Sequence, residues 1–300
     1  MATKIKRTKK TLIHLIYIPF TGVGLYGGFR SQEWFAKRIE IFKQFTLKSL
    51  MNQSNKNFVC WISFRSQEKN NPLVLELETY LEALNFPFIF TFDGLMYADD
   101  RFFPRFRDRL PILKRVLRGL WRSKRLNLYA IYDCLRDRNS SLEQRIGSSV
   151  AVLKSIFART DFVYVTRIDS DDMFHKDVVK ELQDVKPQYK AVTIRKGYVF
   201  NRITRELSEW SPTTNPPFHT IIFPYDVFFD AEKHLQYLGG YRSHEDVVKL
   251  YDYTSLKGRR YCVVTHNAHI STTYNHRFRG EVIKNKKKIL LDFGLDFVGF

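Results

Sequence analysis

The chain has 300 residues, of which 44% are hydrophobic and 15% aromatic, and its formal net charge is +18. This composition excludes a disordered polymer and predicts one large α/β domain, because so apolar a chain of this length can bury a sizeable core. No run reaches the roughly 20 apolar residues of a membrane span. The charge indicates an anionic partner: nucleic acid, nucleotide-sugar diphosphate, anionic lipid and acidic glycan all satisfy it.

The three cysteines are far apart in the sequence and odd in number: Cys60, Cys134 and Cys262. This usage is typical of buried thiols in a reducing compartment and not of a disulfide framework or a zinc site. We therefore expect a cytoplasmic protein.

The N-terminus superficially resembles a signal peptide, since a basic stretch is followed by the apolar run from Leu12 to Phe20. The run is short, contains His14, and ends at Pro19 without a small-residue cleavage pattern. We therefore predict a basic disordered tail over residues 1–11 and a first strand after it.

Strand and helix alternate through the first half of the chain. Apolar runs predict strands at 12–18, 58–64 and 86–92, and apolar periodicity predicts helices at 32–51, 72–84 and 142–158. The glycines between Gly22 and Gly28 do not indicate a dinucleotide fold, because no ribose-binding acid follows about 20 residues later. The alternation predicts a Rossmann-like, mainly parallel sheet flanked by helices.

Residues 97–140 form a strongly basic insertion. Between Pro111 and Arg125, basic residues share an amphipathic pattern with leucines and Trp121. Two interpretations fit this pattern: a helix lying on an anionic membrane at the cytoplasmic face, or a helix packed on the sheet with a solvated basic face.

Residues 162–172 read Phe-Val-Tyr-Val-Thr-Arg-Ile-Asp-Ser-Asp-Asp, a buried-strand pattern that ends in three carboxylates. Asp169, Asp171 and Asp172 thus follow the carboxyl end of a strand, where open α/β sheets bind ligands. Three such acids repel one another, and a hard divalent cation relieves that repulsion. An EF-hand is excluded by Phe174 and Lys180 at its sixth and twelfth positions. The alternative is a helix cap made by Asp171 or Asp172.

The second half has a different pattern. Strands are predicted at 191–200, 220–224 and 260–265, with a polar loop at 208–217 and helices at 230–237 and 245–253. No linker divides the chain, so residues 12–280 are predicted to form one domain, followed by a C-terminal extension at 281–300.

Three motifs together carry a family resemblance: Thr166-Arg-Ile-Asp-Ser-Asp-Asp172, Phe45-Thr-Leu-Lys-Ser-Leu-Met-Asn-Gln53 and Asn57-Phe-Val-Cys-Trp-Ile62. With them, residues 12–280 resemble the bacterial and viral rhamnosyltransferase family, glycosyltransferases of the GT-A fold. The resemblance implies a nucleotide-sugar-binding half at 12–172 and an acceptor half at 173–280. It further implies a nucleotide-sugar donor, with rhamnose as the sugar its name suggests, and a glycan or lipid-linked acceptor.

By the same resemblance, Asp169 and Asp171 would be a D-x-D pair that holds Mn²⁺ or Mg²⁺ against the donor diphosphate, with Asp172 in support. A late histidine often adds a metal or diphosphate ligand in such enzymes. His269 is the first choice here and His266 the second, in a stretch that also contains His276. An imidazole ligand suits Mn²⁺ better than Mg²⁺.

The resemblance also implies a general base from an acidic pair, here Glu245 and Asp246. The alternative is that these acids stabilise the start of a helix through its dipole. Arg30 and Arg38 could reach the diphosphate or lie on a solvated face. Arg167 is a candidate for pairing with a carboxylate or a donor phosphate.

Two other functions remain open from the sequence. In a nucleic-acid enzyme or binder, the carboxylates would hold metals and the basic insertion would contact backbone phosphates. No recognisable nucleic-acid motif favours this hypothesis. In a peripheral membrane scaffold, the basic helix would bind lipid and the aspartates would have no role.

Overall fold

The structure is a computed structural model that describes residues 11–21, 31–93, 142–241, 244–266 and 280–296. Within these ranges the strands are β1 (Leu12–Pro19), β2 (Val59–Ser63), β3 (Phe88–Thr91), β4 (Phe162–Arg167), β5 (Met173–Phe174), β6 (Ala191–Thr193), β7 (Lys196–Asn201), β8 (Leu207–Trp210), β9 (His219–Pro224), β10 (Tyr253–Ser255) and β11 (Arg259–Thr265). Residues 1–10 of the tail and the whole basic insertion at 97–140 lie outside the described residues.

The α-helices in the same ranges are α1 (Gln32–Ile41), α2 (Lys48–Met51), α3 (Pro72–Ala83), α4 (Leu142–Ile156), α5 (Val178–Asp184), α6 (Tyr225–Phe228), α7 (Ala231–Leu238), α8 (Val247–Leu250) and α9 (Lys287–Asp292). A π-helical segment, Phe42–Leu47, joins α1 to α2, and short 3₁₀ helices lie at Ser66–Glu68 and His244–Asp246. None of the helices described is long and apolar enough to cross a membrane.

The larger sheet has seven strands in the order β10-β6-β9-β4-β1-β2-β3. The pairs β1–β2, β2–β3, β1–β4 and β6–β10 are parallel, whereas β9 runs antiparallel to β4 and β6. The predicted α/β class, with a mainly parallel sheet flanked by helices, is confirmed.

Both faces of this sheet are buried, which explains why β1 is apolar at nearly every position. Successive residues of a strand point to opposite faces. Leu15 and Tyr17 face the layer that contains α4 and α7, whereas Ile16 and Ile18 face the layer that contains α1, α3 and α5.

A second sheet of four strands, in the order β5-β11-β7-β8, lies beyond the aspartate motif. Its core includes Met173 of β5 and Phe200 of β7. Phe45 of the π-helical segment and Leu290 of α9 pack in the same cluster. Part of the predicted C-terminal extension therefore packs against the domain.

Three local predictions in the second half were wrong. The single strand predicted at 191–200 is two strands, β6 and β7, which belong to different sheets. The predicted polar loop at 208–217 contains most of β8, which pairs with β7. The helix predicted at 245–253 is limited to a 3₁₀ turn and α8, because the chain turns at Tyr251 and Asp252 into β10. Pairing with distant strands decided each of these cases.

Candidate functional site

The aspartate motif follows β4 at a topological switch point of the large sheet. From β1 the chain builds β2 and β3 on one side, and β4 then pairs with the other side of β1. Ligands in open α/β sheets bind in the crevice at the carboxyl ends of the strands where the order reverses. The backbone nitrogen of Ile168 donates to the carbonyl of Tyr17 at 3.1 Å, so β4 stays paired with β1 up to Asp169.

Asp169 is the most accessible of the three carboxylates, with a side chain 32% exposed. Nη2 of Arg167 donates to its Oδ1 at 3.1 Å. Burial lowers the pKa of Arg167, but the charges of Asp169 and Tyr241 outweigh that effect and raise it above its ordinary value. The pair presents a permanent cation beside a carboxylate at the switch point.

Asp171 is buried and paired with Arg38 of α1. Nη1 of Arg38 donates to Oδ2 at 2.7 Å and Nη2 donates to Oδ1 at 3.1 Å. Nε of the same guanidinium donates to Oγ of Ser170 at 2.9 Å. Nε2 of His266 lies 3.1 Å from Oδ2 of Asp171.

Asp172 is also buried, and its Oδ1 accepts a hydrogen bond from the backbone nitrogen of Val264 at 3.1 Å. Burial, followed by the charges of Asp171 and Asp169, raises the pKa of Asp172 well above its ordinary value. Asp172 therefore joins the end of the aspartate motif to β11 in the second sheet.

The three acids do not converge on one point in the way that a shared metal requires. Within the described ranges, no group of three or more His, Cys, Asp or Glu side chains is arranged to hold a metal ion. Asp171 and Asp172 already accept hydrogen bonds from protein groups. The described residues alone therefore do not complete the predicted metal site. His269 and Arg30 lie outside the described residues, so their roles stay predictions, as does Mn²⁺ or Mg²⁺.

The predicted acidic pair lies in the 3₁₀ turn His244–Asp246, and both side chains are half-buried. Nδ2 of Asn215 donates to the carbonyl of His244 at 2.8 Å and thereby fixes the turn. Burial lowers the pKa of His244, and the charges of Arg167 and Asp169 also act on it. The turn therefore lies beside the end of β4.

Tyr241 connects this turn to the aspartate strand. Its hydroxyl shares a hydrogen bond with Nε2 of His219 at 3.2 Å, and His219 stands opposite Arg167 in the register of β4 and β9. Burial raises the pKa of Tyr241 to about 12, and Asp246 is among the charges that contribute. The structure thus brings Asp246, Arg167 and Asp169 to one region.

The pairing of Arg38 and the contacts of Tyr241, His219 and Asn215 were not predicted from the sequence. One signal for Arg38 was present: it falls within the apolar stripe of α1 between Phe35, Ile39 and Phe42. A charged residue on a buried face needs a buried partner. No comparable sequence signal marks the other three.

Comparisons with known proteins give a weak result. No family model and no curated protein matches the chain. Among solved structures, it is similar to S. aureus TarS, residues 1–349, at 12% identity and a TM-score of 0.37, over 85% of this chain and 60% of that one. The same protein in complex with UDP gives 12% identity and 0.36, over 85% and 61%.

A third similar structure is described as a nucleotide-diphospho-sugar transferase from Desulfovibrio desulfuricans G20, at 11% identity and a TM-score of 0.33, over 85% of this chain and 82% of that one. The chain spans about three fifths of the length of the TarS structures. Similarity at this level does not assign an activity.

Proposed function

We propose that this chain is a glycosyltransferase that takes its sugar from a nucleotide-sugar donor. The observation that carries the proposal is the Arg167–Asp169 pair at the switch point of the mainly parallel sheet. A guanidinium suits a phosphate oxygen, and a carboxylate accepts hydrogen bonds from sugar hydroxyls. The crevice at this edge is where such a fold binds nucleotides.

The acidic turn supplies the second chemical requirement. Transfer to an acceptor hydroxyl needs a base that takes the proton as the hydroxyl attacks. Asp246 or Glu245 fills this role in the proposal. Both lie on the turn that begins with His244, and His244 and the nearby Tyr241 interact electrostatically with Arg167. Asp246 is the first choice, because its charge also acts on Tyr241.

Finer features of the function rest on the sequence alone. They are rhamnose as the sugar, a glycan or lipid-linked acceptor, a cytoplasmic location and association with an anionic membrane surface. The predicted divalent cation belongs to the same group, and no step of the proposal passes through it.

Binding of nucleoside diphosphates tests the proposal. Calorimetric titration with UDP, TDP, GDP and CDP, each with Mn²⁺ and with EDTA, should show one preferred nucleotide. Asp169→Asn should weaken that binding about 10-fold or more, because an uncharged amide accepts weaker hydrogen bonds from the ribose hydroxyls than the carboxylate does.

Asp161→Asn is the matched control, because Asp161 lies at the opposite end of the same strand and bonds Thr11 there. It should leave nucleotide binding unchanged. No binding of any of the four nucleotides, or equal binding by parent and Asp169→Asn, would contradict the proposal. Strong binding of DNA or RNA in parallel assays would favour the nucleic-acid alternative.

A further inference from the structure

Arg38 uses three nitrogens on two consecutive residues of the aspartate motif. Nε donates to Ser170, and Nη1 and Nη2 donate to the two carboxylate oxygens of Asp171. This two-pronged geometry is the strongest that arginine makes with a carboxylate. Both oxygens that a metal ion could use on Asp171 are therefore engaged by the protein.

The pair is also fixed by its surroundings. The side chains of Arg38 and Asp171 are only 9% and 5% exposed. The guanidinium carbon lies 6.0 Å from the ring centroid of Trp34, one helical turn earlier on α1. A cation that replaced Arg38 on Asp171 would leave a guanidinium charge buried without its carboxylate, which is strongly unfavourable.

The three acids therefore have different surroundings. Asp171 is held by Arg38, and Asp172 is held by the backbone of Val264. Asp169 is about six times more exposed than Asp171, as their side-chain exposures of 32% and 5% show.

We propose that Asp171 is a positioning residue that holds Arg38, and that it is not a ligand for a divalent cation in this chain. The Arg38–Asp171 pair, with Ser170, fixes the turn after β4 so that Asp169 alone of the three acids presents its carboxylate to the donor. The role of Asp169 rests on the proposed function, whereas the closure of Asp171 to metal does not.

Titration with Mn²⁺ alone, monitored by the electron paramagnetic resonance signal of Mn²⁺, tests without any nucleotide whether Asp171 binds a divalent cation. The parent and Asp171→Asn should bind Mn²⁺ with the same affinity, including no binding in either. Arg38→Gln leaves Asp171 charged and removes both guanidinium contacts from its carboxylate, while the His266 ring stays near Oδ2. This variant should therefore bind Mn²⁺ at least 10-fold more tightly than the parent. The double variant Arg38→Gln with Asp171→Asn should lose that gain.

A merely structural role for the pair does not predict a gain in metal affinity. The neighbouring exposed pair of Lys37 and Glu33 supplies the control: Lys37→Gln should leave Mn²⁺ affinity at the parent value. If a single variant does not fold, the charge-neutral double variant still decides, because it lacks the Asp171 carboxylate. Mn²⁺ affinity 10-fold or more below the parent, in Asp171→Asn or in the double variant, overturns the proposal.

The nucleotide arm separates this inference from the proposed function. The ratio of nucleoside diphosphate affinity in Mn²⁺ to that in EDTA should be the same in the parent and in Asp171→Asn. If this ratio falls toward one only in Asp171→Asn, Asp171 is a metal ligand and the inference is wrong, whereas the proposed glycosyl transfer is not contradicted. Absence of nucleotide binding in the parent contradicts the proposed function. The Mn²⁺ titration then still shows whether Asp171 binds a divalent cation.

Discussion

Asp172 accepts a hydrogen bond from the backbone nitrogen of Val264, 92 residues later in the chain, and so joins the two sheets. Asp172→Ala should lower the free energy of unfolding by about 1–3 kcal/mol, because it leaves a buried N–H without a partner. Asp172→Asn keeps an acceptor oxygen, so its free energy of unfolding should fall much less. Urea unfolding of both variants measures the difference. Equal losses in the two variants would show that this hydrogen bond does not stabilise the fold.

The Arg38–Asp171 pair should contribute strongly to stability. Asp171→Asn should lower the free energy of unfolding by about 3–5 kcal/mol, the usual cost of breaking a buried ion pair from one side. The double variant with Arg38→Gln should lose less free energy of unfolding than the sum of the two single variants, because the second change removes a charge that the first has left without its ion-pair partner. Repulsion among three acids predicts the reverse for Asp171→Asn, which is no loss or a gain. Urea unfolding of the two single variants and the double variant distinguishes the two.

The acidic turn gives a kinetic prediction. Asp246→Asn should lower the rate of sugar transfer by roughly 10²-fold or more, the usual scale for loss of a general base, while nucleotide affinity stays near the parent value. Steady-state rates and nucleotide titration measure the two quantities. If Glu245→Gln alone lowers the rate, the base is Glu245. Full activity in both variants would leave the pair as a feature of the turn.

Two buried histidines make the fold sensitive to acid. Burial lowers the pKa of His14 to about 3 and that of His234 to about 4. Both are neutral in the folded chain, whereas in the unfolded chain they take up protons below about pH 6.5. The unfolded state then binds more protons, so stability should fall as pH drops from 6.5 toward 4, by up to about 1.4 kcal/mol per pH unit for each group.

Urea unfolding between pH 7 and pH 4 measures this dependence. His234→Asn removes the titrating ring but keeps a donor for the carbonyl of Phe228, which the His234 ring contacts at 3.0 Å. Its stability should depend less steeply on pH than that of the parent. Parallel curves would exclude His234 as a contributor.

Two glycines, one in the second sheet and one in α4, test how tightly these elements pack. A methyl group at Gly197 of β7 would collide with the ring and the carbonyl oxygen of Tyr261, so Gly197→Ala should cost about 1–3 kcal/mol or more. At Gly147 of α4 the nearest atom would be Cβ of Ala231, at 3.7 Å. Gly147→Ala should therefore gain up to about 1 kcal/mol from helix propensity. Thermal unfolding compares the two, and equal shifts would contradict both packing arguments.

The sequence by itself determined the architecture of the first half. The apolar runs of β1, β2 and β4 and the stripes of α1, α3 and α4 are local patterns, and burial on both faces of a parallel sheet makes them strong. The same patterns placed Asp169 at the carboxyl end of its strand. In the second half the local hydrophobic pattern predicted the strands less well. There β6 and β8 are short, and each forms by pairing with another strand of its sheet.

Only the tertiary structure decided which of the three acids is accessible. In the sequence Asp-Ser-Asp-Asp nothing distinguishes the three acids, but in the structure each contacts a different element. Arg167 of β4 contacts Asp169, and Arg38 of α1 pairs with Asp171. The backbone nitrogen of Val264 in β11 donates to Asp172. The exposure of each acid depends on these neighbours, which come from positions 2 to 133 residues away. Spacing along the chain does not encode contacts of that range, because they form only when the sheets and helices have packed.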